Sequence, residues 1–159
     1  MSDDAVDVPA RLRQLGIVLP LPPAPVAAYV PFTIGGGLLF VSGQGPVEAD
    51  GAMHTGLVGA EVTLEAAQAD ARLVAINLIA QIGAACGGDF DRVGQVLKLF
   101  GMVRAIPDFG RHPEVIDGAS RLFVDVFGAR GRHARSAVGL GSLPRGITVE
   151  IECICALRS

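Results

Sequence analysis

Two residues in the last third of the chain have the chemistry to work on a small anionic substrate. Arg135 lies in the run Arg132-His133-Ala134-Arg135-Ser136-Ala137-Val138, Glu150 lies in Val149-Glu150-Ile151-Glu152, and a Leu143-Pro144-Arg145-Gly146 turn separates them. A guanidinium is a planar, permanently charged donor that matches a carboxylate. A carboxylate can take a proton from water. Both runs read as strands, and two strands joined by a turn are expected to form an antiparallel hairpin that lets Arg135 approach Glu150. A cation that close would favour the ionised form of Glu150, making it an acceptor for water. Glu152, two residues on, points the same way as Glu150. His133 has its protonated form disfavoured by Arg132 and Arg135 and is a secondary candidate for shuttling protons. With Arg130, these arginines make a local positive patch that fits the mouth of a carboxylate site.

The remaining elements must position this pair. Residues 1–8 are acidic and small, and Pro9 to Gly16 reads as a short helix with a Pro start and a Gly stop, an appendage to the core. Four prolines between Leu19 and Pro25 make a stiff connector. Residues 1–23 therefore form a lead-in to a domain spanning 24–159. That domain opens with a hairpin, Val26–Ile34 and Leu38–Gln44 around Gly35-Gly36-Gly37. The loop from Pro46 to Gly59 carries His54, read as a solvated loop histidine. Glu61 to Ala85 has Ala67, Ala71, Val74, Leu78 and Ile82 at helical spacing, with Thr63 able to cap and Gly87-Gly88 as the stop. A long strand follows over Val93–Ile106. A second helix opens at His112-Pro113, carries Val115, Ala119, Leu122, Phe123 and Val126 as its stripe, and closes at Gly128. The order β-β-α-β-α-β-β predicts an α+β domain with both helices on one face of a mixed β-sheet. The other sheet face is then left for copies of the chain, whose sheets would pack around a barrel-like centre with sites between subunits.

Composition narrows the function. A chain of 159 residues is most economically one domain. Half of it is hydrophobic, yet Gly, Pro and charge interrupt the apolar runs well short of the ~18 residues that span a membrane. No membrane partner is expected, and the excess apolar surface points to a homo-oligomer. The net charge of −3 and the absence of Trp disfavour nucleic acid as a partner. Cys86, Cys153 and Cys155 form no Cys-x-x-Cys spacing, and the acidic Met-Ser-Asp-Asp start is not a secretory signal, so a reducing, cytoplasmic setting is expected. Cys153 and Cys155 read as small buried hydrophobes, and no metal site is expected.

Six motifs now combine: Ala28-Tyr29, Val41-Ser42-Gly43-Gln44-Gly45-Pro46, Asp108-Phe109, Ala134-Arg135-Ser136-Ala137-Val138, Leu143-Pro144 and Val149-Glu150-Ile151-Glu152. Together they resemble the Rid/YjgF family, whose older label is endoribonuclease L-PSP, over roughly Ala24 to Leu157. The resemblance implies a chorismate-mutase-like α+β fold and a homotrimer with clefts between subunits. It also implies hydrolysis of 2-imino acids or their enamine tautomers to 2-ketoacids and ammonia, without cofactor or metal. By the same resemblance Arg135 clamps the substrate carboxylate and Glu150 handles the attacking water. Tyr29 and Ser42 line the pocket, and Gly43 and Ala137 supply backbone groups around the ligand. Two departures stand out. Ala137 replaces the common Cys, and Asp117-Gly118-Ala119-Ser120 occupies the region where deaminases carry a pocket Asn. These leave two alternatives beside imine hydrolysis: a non-catalytic module that binds 2-ketoacids, and a hydrolase or tautomerase for another small catabolic metabolite.

Overall fold

The computed structural model describes residues 6–22 and 28–158. Its elements in chain order are α1 (Val8–Gln14), β1 (Phe32–Gly35), β2 (Leu38–Gln44), α2 (Leu64–Ala85), β3 (Val93–Arg104), α3 (His112–Phe127), β4 (Ala134–Leu140) and β5 (Val149–Leu157). The expected β-β-α-β-α-β-β series is present, with α1 ahead of it. The strands form one mixed sheet ordered β1-β2-β5-β3-β4, in which β3 and β4 are parallel and every other pair is antiparallel.

That order corrects the expected hairpin. β4 and β5 are not neighbours, because β3 lies between them. β3 is 12 residues long and buries Val96, Leu99 and Val103 completely, so it has the length and the apolar side to pair on both edges. All of β4 is at least partly exposed, which suits an edge. The α3 crossover lays β4 parallel to β3. The opening strand is shorter than expected: it begins at Phe32, and Val26 and Ala27 lie outside the described residues. Of the proline-rich connector, residues 19–22 carry no helix or strand, and 23–25 lie outside the described residues.

α2 starts at Leu64 because the Thr63 hydroxyl accepts the Ala66 N–H at 3.1 Å. A start at Glu61 is excluded, since its side chain takes the Leu57 N–H at 2.9 Å in the preceding loop. Every residue of the two apolar stripes is buried, as are Leu39, Leu99, Val149, Ile151, Cys153 and Cys155 on the sheet face they cover. The helix expected as an appendage joins this core: Val8 and Leu12 are buried. Arg130 helps to hold it, donating to Val6 O at 3.2 Å and to Val93 O at 2.7 Å. It is itself buried, so the expected three-arginine surface patch does not form. Among the described residues no helix is long and apolar enough to cross a membrane. The sheet face away from the helices carries Phe40 and Val138, 43% and 37% exposed, with Glu150 and Glu152.

Candidate active site

Alternation along β5 turns Val149 and Ile151 into the core and Glu150 to the opposite face. There Glu150 is half-buried in the wall of a cavity of about 540 Å³, together with Tyr29, Gly43, Met53, Gln81 and Arg145. Gly43 leaves the space for it: a Cβ at that position would stand 2.3 Å from Glu150 Oε1. Burial pushes the Glu150 carboxyl above the ordinary carboxylate range, and the neighbouring Glu152 pushes it further. The expectation that a cation favours its charged form is thereby reversed within the chain. Arg145, at the tip of the Leu-Pro-Arg-Gly turn, has φ of 57°, a left-handed conformation that costs a residue with a Cβ roughly 1–2 kcal/mol. It places a guanidinium-bearing residue at the edge of the cavity.

Arg135 is elsewhere. It stands opposite Leu99 on β3 while Glu150 stands opposite Met102. Two strand spacings and three residues of rise separate their backbones by about 14 Å. Their side chains also leave opposite faces of the sheet, for Arg135 reaches α3 and meets Asp117 at 2.8 Å and Ser120 Oγ at 3.1 Å. Ser120 in turn lies 2.9 Å from His133 Nε2, and His133 Nδ1 lies 2.7 Å from Gly131 O. A carbonyl only accepts, so Nδ1 carries the hydrogen and Nε2 receives the Ser120 proton. The serine lone pairs are then free to face Arg135. Burial holds His133 below its ordinary pKa, which keeps this neutral form in place. His133 thus supports Arg135 through Ser120.

The structure therefore brings Tyr29, Gly43 and Glu150 together and sets Arg135, His133 and Ala137 apart from them. Ala137 packs partly buried against the core, on the same face of β4 as Arg135. The Ser42 hydroxyl donates to Val30 O at 2.8 Å and ties the segment before β1 to β2. Asp117 and Ser120 were missed as partners of Arg135. Their three-residue spacing beside the α3 stripe is the signal that puts both on one side of a helix.

His54 corrects another expectation. It is not simply solvated: Nδ1 lies 2.5 Å from Asp70 Oδ1 and Nε2 lies 3.2 Å from Glu48 Oε1. Asp70 is buried on α2 and also accepts from Thr148 Oγ1 at 2.6 Å. A carboxyl at a buried helix position, flanked by Ala67, Ala71 and Val74, needs such partners. The chain of contacts ties the loop that contributes Val47, Gly51 and Met53 to the Glu150 cavity. The hydrogen bond to Asp70 raises His54 above the usual 6.5, with smaller contributions from both carboxylates' charges.

The two histidines consequently oppose each other in pH. The fold binds the His54 proton more tightly than the unfolded chain, so that stabilisation is present below pH 6.5 and is lost as pH rises through the raised value. The lowered His133 contributes the reverse, lost as pH falls below 6.5. Thermal melts from pH 5 to 9 are expected to show His54→Gln flattening the alkaline decline. His133→Gln is expected to flatten the acid one, and equal slopes in all three proteins would contradict both assignments.

Residues 9–149 match the family model described as "YjgF/chorismate_mutase-like, putative endoribonuclease". Protein TCP17 of Trypanosoma cruzi is 43% identical over 153 residues, 96% of this chain and 95% of that protein. The crystal structure of Atu1372 from Agrobacterium tumefaciens, a protein of unknown function, is 46% identical with a TM-score of 0.88, covering 95% of this chain and 94% of that one. E. coli TdcF, solved with bound serine, is 26% identical with a TM-score of 0.62, over 86% of this chain and 93% of its own.

Proposed function

The chain belongs to the YjgF/chorismate-mutase-like family, also known as Rid, and from that premise we propose that it hydrolyses small 2-imino or enamine acids to 2-ketoacids and ammonia. The observation that carries this reading is Glu150: a half-buried carboxyl with a raised pKa, facing a cavity and given room by Gly43. Water attacks the carbon of the protonated imine as Glu150 takes one of its protons, forming a neutral carbinolamine. Glu150 then returns that proton to nitrogen, and as the carbinolamine hydroxyl gives its own proton back to the Glu150 carboxylate, the C=O bond forms, the C–N bond breaks and ammonia leaves. A group that must hold a proton between two steps is best served by a pKa moved towards neutrality.

The carboxylate clamp comes from a second copy of the chain. Arg135 and Glu150 leave opposite sheet faces about 14 Å apart, too far to share one small molecule within a subunit. The sheet face away from the helices, where Phe40 and Val138 are exposed, is the surface on which we take copies to pack, as a homotrimer. Packing there sets the Arg135 edge of one copy against the Glu150 cavity of the next. The serine bound to E. coli TdcF supports a small carboxylate-bearing ligand. A reducing, cytoplasmic setting suits the three free, buried cysteines.

The test is ammonia release from imines generated in situ by an amino-acid oxidase, with light scattering to establish the oligomer. Release is expected to accelerate with wild type and to lose about 100-fold or more with Arg135→Ala, since a buried charge-assisted contact to substrate is removed. Ammonia release no faster than in buffer, for every imine tried, would sink the reading. A second reading, a non-catalytic sensor of 2-ketoacids, is favoured by one feature: Ala137 brings only a methyl group beside Arg135, and so no thiol. Ketoacid binding lost in Arg135→Ala, with no turnover by wild type, would select it.

A further inference from the structure

We propose that Arg145 is a specificity-determining residue that binds a second anionic group of the substrate, so that the cavity takes 2-imino acids whose side chain ends in a carboxylate. The inference rests on the reading of Glu150 as the reacting end and of Arg135 as the clamp for the carboxylate beside the imine. It adds the class of molecule, a dicarboxylate held at both ends.

Three observations meet at this residue. Arg145 and Glu150 are the charged residues in the wall of the cavity of about 540 Å³, and every other residue of that wall is neutral. Among the described residues Arg145 forms no ion pair, whereas Arg135 meets Asp117 at 2.8 Å and Arg130 lies 3.9 Å from Asp91. Its charge is therefore open to an anion, and it offsets the repulsion that the Glu150 carboxylate would exert on one. Arg145 is also the one non-glycine among the described residues with a positive φ, at φ 57° and ψ 15°. Glycine adopts that conformation without a Cβ penalty, as Gly146 does next to it at φ 71°. The shape of the turn needs no arginine, so an arginine held there under strain points to a use for its side chain.

The turn is fixed on both sides. Leu143 and Ile147 are buried, and Gly146 N–H donates to Leu143 O at 3.0 Å. Gly146 O accepts from Gly56 N at 3.0 Å and from Arg104 Nη1 at 3.3 Å. Binding an anion then orders the Arg145 side chain alone, since the backbone that carries it is already in place. The cavity volume falls within the about 300–1,000 Å³ that encloses ligands larger than the smallest imino acids, which leaves room for a second carboxylate. A chain ending in a methyl group would leave the guanidinium to water and gain nothing from it.

2-Ketoglutarate and 2-ketopentanoate have chains of the same length and differ at the far end, carboxylate against methyl. Calorimetry on the full-length protein is expected to show 2-ketoglutarate binding about fivefold tighter, a modest factor because Arg145 is exposed. That advantage should shrink as salt rises from about 0.01 M to about 1 M and the screening length falls to about 3 Å. Arg145→Gln should erase it and leave 2-ketopentanoate affinity within about twofold. Arg145→Gly should erase it too while melting within about 3 °C of wild type, because relief of the left-handed strain offsets the looser unfolded chain. Equal affinities in wild type, or an advantage that survives both variants, overturn the role. Loss of both ligands in Arg145→Gln makes Arg145 the clamp for the shared carboxylate and overturns it as well. A smaller oligomer by light scattering, with the ligand preference intact, assigns Arg145 to a contact between copies instead. Turnover of the alanine-derived imine with no preference for the dicarboxylate removes the role of Arg145 and keeps imine hydrolysis. A preference erased by Arg145→Gln, with no turnover of any imine, keeps Arg145 as an anion-binding residue and removes the hydrolysis.

Discussion

Glu150→Gln is expected to lower the rate of ammonia release by about 10²–10⁴-fold while carboxylate binding changes only a few-fold. The amide keeps the shape of the side chain and its place against Gly43, but it can neither take a proton from water nor return one to nitrogen. The loss should therefore appear in kcat, with KM little changed. The pH profile provides an independent check. Water activation requires the carboxylate, so activity falls as pH drops through the Glu150 pKa, and that pKa is raised first by burial and then by Glu152. Glu152→Gln removes the second cause and is expected to move the acid limb to lower pH, extending activity on that side. An acid limb that stays in place in Glu152→Gln, or a Glu150→Gln variant within tenfold of wild type, would take the base role away from Glu150.

The second large effect is on the fold. Gly118→Ala is expected to destabilise the protein by about 3 kcal/mol, the upper end of ordinary overpacking, and to lower its melting temperature by roughly 6–12 °C. Gly118 sits where α3 crosses α2, and a Cβ there would lie 2.0 Å from Gln68 O and 3.0 Å from its carbonyl carbon. Both are backbone atoms of a helix, so no rotamer change relieves the clash and the helices must separate. The Gln68 side chain, which donates to Glu114 O at 2.7 Å, would lose its alignment as well. Asp117 and Ser120 flank the position, so the shift would also carry away the two groups that hold Arg135. Weaker carboxylate binding is expected to accompany the lower stability. Gly110→Ala is the control: nothing lies within 4 Å of its Cβ position, and a change within about 0.5 kcal/mol is expected. Denaturant midpoints that place the two variants together would show that the crossing tolerates the methyl group.

The helices, the strands and their caps were legible in the sequence because their signals are local. A stripe such as Ala67, Ala71, Val74, Leu78 and Ile82 repeats at the helical period, and Thr63 satisfies a first-turn N–H three residues ahead. The motif residues Tyr29, Gly43 and Glu150 were legible too, and they meet in one cavity although they come from three separate segments. Which strand pairs with which was not. Neighbours in sequence are a reasonable first guess for neighbours in a sheet, and β4 and β5 break it because β3, the longest strand and fully buried at Val96, Leu99 and Val103, takes the place between them. That one long-range choice puts a whole strand between Arg135 and Glu150, and Arg135 meets Asp117 and Ser120 of α3 instead. The same limit explains Arg130, whose charge suggested a surface patch until the carbonyls of Val6 and Val93 claimed it. It explains His54 as well, whose partner Asp70 lies 16 residues away on a buried helix face. Periodicity, capping and motif are properties of short stretches, so the elements, the family and the residues able to do chemistry can be read along the chain. Which of those residues share a site, and which charges are already paired, is set by the packing of the whole chain, where partners far apart in sequence meet.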